Sequence, residues 1–258
     1  MKIMRLHRWL LDEYKRDGSF AWGKTIVGYS TLVLAIIIIS GLVIWYPRNR
    51  KALKNRFKIR TKAGWFRFLY DLHVSGGFYA ALLLLILALT GLTWSFGWYR
   101  DAFYTAFGIS TTSKQTHAPT SAVPQKTAGE RGSKKHPKTD YTQWSEVLAD
   151  LQSRYPEYKS ISIQDGSATV STAAYGNTRG SDRYSFDPAT GKITEIQLYK
   201  DLPKSAKIRG WIYSVHAGTW GGLTTRILSC LVSLLGAVFA ITGYYFWIKK
   251  KLRKSKQR

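Results

Sequence analysis

The chain has one cysteine, Cys230, among 258 residues. That excludes an internal disulfide, a cysteine-based metal cluster and haem attached covalently through a CxxCH motif. Cys230 falls inside the last apolar run, where a cysteine is expected to be a small buried apolar side chain. Acidic residues are also scarce, 15 Asp and Glu against 39 Lys and Arg, for a net charge of +24. Within residues 140–210 no nucleophile–base pair, acidic dyad or phosphate-binding glycine loop is evident. Charge of either sign is missing from three long stretches, Thr25–Pro47, Val74–Tyr99 and Ile227–Ile248. Each exceeds the ~20 residues a helix needs to cross about 30 Å of hydrocarbon. The sequence therefore predicts a membrane α-helical bundle of three transmembrane helices embedded in a lipid bilayer.

A net charge this positive invites a nucleic-acid reading, and its placement rejects one. Arg48, Arg50, Lys51, Lys54, Arg56, Lys58, Arg60 and Lys62 follow the first run; Lys249, Lys250, Lys251, Arg253, Lys254, Lys256 and Arg258 follow the third. Both clusters abut the ends of spans, as the positive-inside rule requires of cytoplasmic flanks. Residues 1–24 then form an amphipathic segment on the outer surface, with a short helix expected within 3–22. Residues 25–47 cross inward, 48–70 are a basic cytoplasmic loop, and 71–100 cross outward. Residues 101–225 lie outside, and 211–248 form the last span with an outer extension. Residues 249–258 are a basic cytoplasmic tail. This topology leaves the N-terminus outside with no signal peptide ahead of it. It therefore calls for a further helix, upstream or from a second chain.

The outer segment opens on a flexible linker, 101–139, with a Ser-, Thr-, Lys-, Pro- and Gly-rich stretch at Ser110–Lys138. A small α+β domain over 140–210 follows. Trp144, Val147, Leu148 and Leu151 share one helical face within Tyr141–Tyr155. Ser160–Ile163, Ala168–Thr172, Asp182–Phe186 and Lys192–Leu198 read as strands, the last two joined by the turn Asp187-Pro188-Ala189-Thr190-Gly191. One helix against an antiparallel sheet is the simplest packing. The spans repeat a small pair before a tryptophan: Ser40-Gly41 with Trp45, Thr90-Gly91 with Trp94, and Thr242-Gly243 with Trp247. Such a repeat reads as close helix packing plus an interfacial anchor.

Of five histidines, His117 and His136 sit in the linker and are expected to be solvated. The other three stand at span mouths: His7 before the first, His73 at the inner end of the second, and His216 at the outer end of the third. Each alone suits an interfacial polar residue. Together they are also compatible with haem, whose iron takes neutral imidazole as an axial ligand. Gly76, Gly77, Gly218, Gly221 and Gly222 would leave room for a flat macrocycle, with Tyr79, Trp220 and Trp9 lining it. His7 and His216 share a membrane side and can pair; His73 lies on the other. A bare metal site is less supported, since no third ligand stands in evident reach.

Four motifs together resemble the PepSY-associated transmembrane proteins, also called iron-regulated membrane proteins. They are Leu6-His7-Arg8-Trp9, Ser40-Gly41-Leu42-Val43-Ile44-Trp45-Tyr46-Pro47-Arg48, Asp71-Leu72-His73-Val74-Ser75-Gly76-Gly77, and His216-Ala217-Gly218-Thr219. The 140–210 domain, with Tyr184-Ser185-Phe186-Asp187-Pro188-Ala189-Thr190-Gly191-Lys192, resembles a PepSY module. The resemblance implies four spans in the bacterial inner (cytoplasmic) membrane, with 101–225 periplasmic. It implies cofactor-binding roles for His7, His73 and His216 toward haem b: His7 with His216 outside, and His73 inside with a histidine of the absent first helix. No metal other than haem iron is implied. It further implies a ferric-siderophore reductase fed by an unknown cytoplasmic-side electron donor. Two other functions compete. One is a membrane-anchored PepSY module regulating an envelope peptidase, which would not need the histidine placement. The other is an iron or siderophore permease, disfavoured because the apolar runs hold no ionisable carboxylate or amine.

Overall fold

The computed structural model describes residues 2–12, 20–47, 49, 53–54, 56–109 and 141–255. The Ser110–Lys138 linker with His117 and His136, the turn at Asp17-Gly18-Ser19, and Arg48, Arg50 and Lys51 of the first basic cluster lie outside the described residues. The chain divides into two compact units, one of residues 1–100 and 215–258, the other of 101–214.

The first unit is the membrane bundle. Helix α1 is Lys2–Trp9, α2 is Trp22–Trp45, α3 is Trp65–Ser95 and α7 is Gly222–Ser255. The last three each carry most of a charge-free run and are long and apolar enough to cross a membrane. Helix α3 packs antiparallel against both α2 and α7. Close approach occurs at glycines: a Cβ on Gly28 would lie 3.0 Å from the Phe96 ring, and one on Gly236 would lie 3.3 Å from Leu84. Of the glycines in the Ser/Thr-Gly-Trp repeat, Gly91 and Gly243 also stand at close contacts, each against a histidine ring, whereas a Cβ on Gly41 would meet nothing within 4 Å. Leu223, Leu231, Leu234 and Ile241 of α7 point away from the bundle, as a helix in hydrocarbon permits. Cys230 also faces outward. The expectation that it is buried fails because the outer face of a membrane helix needs no polar cover.

Several boundaries differ from the sequence expectations. The α1 helix stops at Trp9, and Leu10 and Leu11 take left-handed backbone angles of +51° and +68°. Leu10 N–H closes back on the Leu6 carbonyl and Leu11 N–H on the Arg5 carbonyl, a wrapping C-terminal cap. The second span starts at Trp65, inside the expected loop, because Arg67 bonds the buried Asp71 at 2.9 Å. A paired charge is tolerated there where a lone one would not be. Ser95 ends that span, and a separate helix α4, Gly97–Ala106, occupies the start of the expected linker. The expected 211–248 helix is two helices, α6 (Lys204–His216) and α7, broken at 217–221.

The described basic residues of both clusters gather at one end of the bundle. Arg56 donates to the Trp45 and Ile44 carbonyls that terminate α2. Lys249 of α7 lies 4.0 Å over the Phe66 ring at the start of α3.

The second unit carries a four-stranded antiparallel meander in the order β1-β2-β3-β4: Tyr158–Gln164, Ser167–Thr172, Asp182–Phe186 and Ile193–Gln197. Helix α5, Trp144–Arg154, covers one face. Its i, i+3, i+7 side chains Trp144, Val147 and Leu151 meet Ala168, Val170, Tyr184 and Phe186. Leu151 is 0 % exposed. Gly166 follows Asp165 in the two-residue β1–β2 turn at φ +71°, the positive angle such hairpins demand. The expected helix-on-sheet arrangement and all four strands are present.

Asp182, 1 % exposed at the start of β3, ties this unit together. Its carboxylate accepts from the hydroxyl of Tyr155, the hydroxyl of Tyr175 at 2.6 Å and the backbone N–H of Tyr199 at 2.6 Å. Tyr184 donates in turn to the Tyr155 oxygen at 2.7 Å. Burial, followed by the hydrogen bond to Asp182, pushes both Tyr155 and Tyr175 above the ordinary phenol range.

Candidate histidine site

His216 is the last residue of α6, so its ring is delivered just before the turn into α7. The imidazole lies along the C-terminal half of α3. Its Nδ1 is 3.0 Å from the Leu87 carbonyl and 3.1 Å from the Thr90 hydroxyl. A carbonyl only accepts, so Nδ1 carries the proton and Nε2 keeps its lone pair. Trp94 meets the ring edge-on at 5.1 Å between centroids. Gly91 makes the position available: a Cβ there would stand 3.0 Å from His216 Cε1.

His7 reaches the same place from the other side. Its helix α1 is held on the first turn of α2, where Gly23 leaves room for the Trp9 carbonyl and its N–H donates to Asp12 Oδ2 at 3.2 Å. The His7 and His216 ring centroids are 6.0 Å apart, with planes inclined at 38°. Two imidazoles on opposite sides of one metal ion, each bonded at about 2.0 Å through nitrogen, place their centroids roughly 6 Å apart. The His7–His216 separation matches that of two imidazoles on one ion.

His73 stands elsewhere, within a π-helical turn, Leu72–Gly76, that interrupts α3. Such turns are common at functional positions. The widened turn frees the Val74 carbonyl, which accepts the Trp45 indole N–H at 2.7 Å, and Trp45 stacks on Phe78 at 4.1 Å. His73 Nδ1 is 2.8 Å from the Thr242 hydroxyl of α7, and Phe239 and Phe246 meet its ring edge-on. A Cβ on Gly243 would stand 3.3 Å from His73 Cε1. Seventeen residues of α3 separate His73 from Thr90, ~25 Å at helical rise. The structure thus brings His7 and His216 together and keeps His73 apart.

The supporting residues differ from those the sequence suggested. Gly218, at φ +65°, and Gly221 serve the turn between α6 and α7, where a Cβ would run into Ser229 and Thr225 respectively. Gly76 faces Phe239, while Gly77 and Gly222 have open space beside them. Tyr79 packs with Phe57 and Phe78, and Trp220 is half exposed. The glycines that admit the imidazoles are Gly91 and Gly243. The sequence carried that signal in its repeated Thr-Gly pair, which reads as helix packing until the partner is known. Of the tryptophans in the repeat, only Trp247, outward-facing under Lys251, behaves as a simple anchor. Among the described residues, no three His, Cys, Asp or Glu side chains converge as a metal-ion site.

A three-span helical bundle with paired histidines at one end, joined to a small α+β module, defines a multi-pass membrane protein. The family of the PepSY-associated TM region matches residues 2–250, and the chain belongs to it. No curated protein matches the sequence.

Proposed function

We propose that this chain is a haem-binding electron-transfer protein of the bacterial inner membrane. On this reading it reduces a ferric siderophore, or another ferric chelate, on the periplasmic side. The observation that carries the reading is the His7–His216 pair, 6.0 Å between centroids, with His216 Nδ1 committed to the Leu87 carbonyl. His7 and His216 would hold a haem b. When bound, that group supplies reversible one-electron exchange between ferric and ferrous iron. The protein orients the ligating nitrogens and gives one ring an aromatic flank through Trp94. His73 would serve a second position near the basic end, with its other ligand drawn from outside the described residues.

Basic flanks mark the cytoplasmic side of a bundle. By that rule the end holding Arg56 and Lys249 faces the cytoplasm, and the His7–His216 end faces the periplasm. One electron from a cytoplasmic-side donor then converts one ferric chelate to its ferrous form. Hard oxygen donors hold the ferrous ion less tightly, which favours release.

The test is the absorption spectrum of the full chain, purified with haem supplied. A Soret band is expected, with a low-spin, six-coordinate signature that His216→Ala and His7→Ala each convert or abolish. Absence of the band, or a band indifferent to both substitutions, refutes the reading.

A further inference from the structure

Helices α3 and α7 exchange the same device. Helix α3 carries His73 about two turns in from its N-terminus and Thr90-Gly91 toward its C-terminus. Helix α7 carries Thr242-Gly243 and is preceded by His216, the last residue of α6. Each histidine docks on the other Thr-Gly pair. His216 meets Thr90 and Gly91; His73 meets Thr242 and Gly243.

The proton count is the same at both places. Thr90 Oγ1 donates to the Ile86 carbonyl at 2.7 Å, and Thr242 Oγ1 donates to the Val238 carbonyl at 2.9 Å. A hydroxyl has one proton. With that proton given to its own helix, each threonine oxygen offers the imidazole only lone pairs. Nδ1 must then be the donor, and Nε2 is left unprotonated. The adjacent glycine lets the ring lie close enough for this bond. A Cβ would approach Cε1 at 3.0 Å at Gly91 and at 3.3 Å at Gly243, inside the roughly 3.5–4.0 Å of a relaxed carbon contact.

We propose that Thr90-Gly91 and Thr242-Gly243 are positioning residues that fix the Nδ1–H tautomer and ring placement of His216 and His73. Nε2 of each ring is thereby presented as a ligand atom. Its purpose as a ligand rests on the haem reading above; the tautomer assignment does not. The two seats are unequal. At His216 the Leu87 carbonyl also accepts from Nδ1, whereas Thr242 is the acceptor at His73. Thr242 therefore governs its histidine more strongly than Thr90 does. The first span bears a similar pair, Ser40-Gly41, with Ser40 donating back to the Ile37 carbonyl. No described atom lies within 4 Å of a Cβ built on Gly41, which makes that position a control.

The experiment is ¹⁵N NMR of the full chain, labelled at histidine, at pH 8 and before any haem is added. His73→Gln and His216→Gln assign the resonances. Both rings are expected as the Nδ1–H tautomer. Thr242→Val should lower the tautomer ratio at His73 by about tenfold, the worth of one hydrogen bond. Thr242→Ser should restore it, and Thr90→Val should shift His216 less. Gly91→Ala should displace the His216 signals while Gly41→Ala leaves them unchanged. Predominance of Nε2–H in the unsubstituted protein overturns the proposal. So does a His73 ratio unmoved by Thr242→Val. If a variant fails to fold, the unsubstituted protein's tautomers decide alone. If the tautomers are as stated and added haem gives no Soret band, the haem reading fails and the positioning roles stand.

Discussion

Replacing Asp182 by asparagine tests the polar centre of the α+β unit. The carboxylate is 1 % exposed and receives three donors, two tyrosine hydroxyls and the Tyr199 N–H. Asparagine offers one acceptor oxygen where aspartate offers two, and it turns an NH₂ group toward what had been a donor. At best its oxygen keeps two of the three bonds, now neutral. One charge-assisted bond, about 1.5–3 kcal/mol, is lost, and the remaining two weaken. Rotation of a tyrosine hydroxyl to accept from the new NH₂ recovers part of this. The net cost is about 2–4 kcal/mol. Amide hydrogen exchange in the full chain reads it directly, since protected amides report local opening free energy. Backbone amides of β2 and β3 should exchange about 30- to 700-fold faster, with α2 and α3 unaffected. A change below about threefold in β2 and β3 would show that the tyrosine–aspartate cluster is incidental to the unit's stability.

Two further outcomes are expected. Tyr155 and Tyr175 are raised above the ordinary phenol value by burial and by their bonds to Asp182, so the unfolded chain loses those protons first as pH rises. Their stabilising contribution is complete below pH ~10 and declines above it. Denaturant titrations at pH 9 and 11 should show this loss, and Tyr155→Phe should reduce it. A nitroxide attached to Cys230, the sole cysteine, should be relaxed by oxygen and shielded from a water-soluble nickel chelate once the protein is in bilayers, because that side chain faces outward from α7. The reverse preference would place this face of α7 in water.

Much of the fold was legible because its causes are local along the chain. A charge-free run of sufficient length reports a span, and the 3.6-residue spacing of Trp144, Val147 and Leu151 reports a buried helical face. Asp187-Pro188-Ala189-Thr190-Gly191 reports the turn between the last two strands. The three histidines stood out because polar rings at span mouths are few. Their surroundings were misassigned for a physical reason. The nearby glycines in sequence, Gly218 and Gly221, answer to the turn in which they sit, whereas clearance for a ring is set by whichever helix lies across from it. Asp182 is inconspicuous in the sequence for a similar reason: its partners Tyr155, Tyr175 and Tyr199 come from three separate segments.

Three membrane spans, a small α+β module and basic flanks gathered at one end follow from the order of residues alone. Apolar length, periodicity and charge placement are one-dimensional quantities. Which histidines meet, and what holds them, depends on the packed fold. His216 finds Thr90 across 126 residues, and His73 finds Thr242 across 169. Those contacts follow from the antiparallel register of α3 against α7, set by the fit of Gly236 to Leu84 and of each glycine to its imidazole. Register is a property of two packed surfaces, so neither helix read alone contains it.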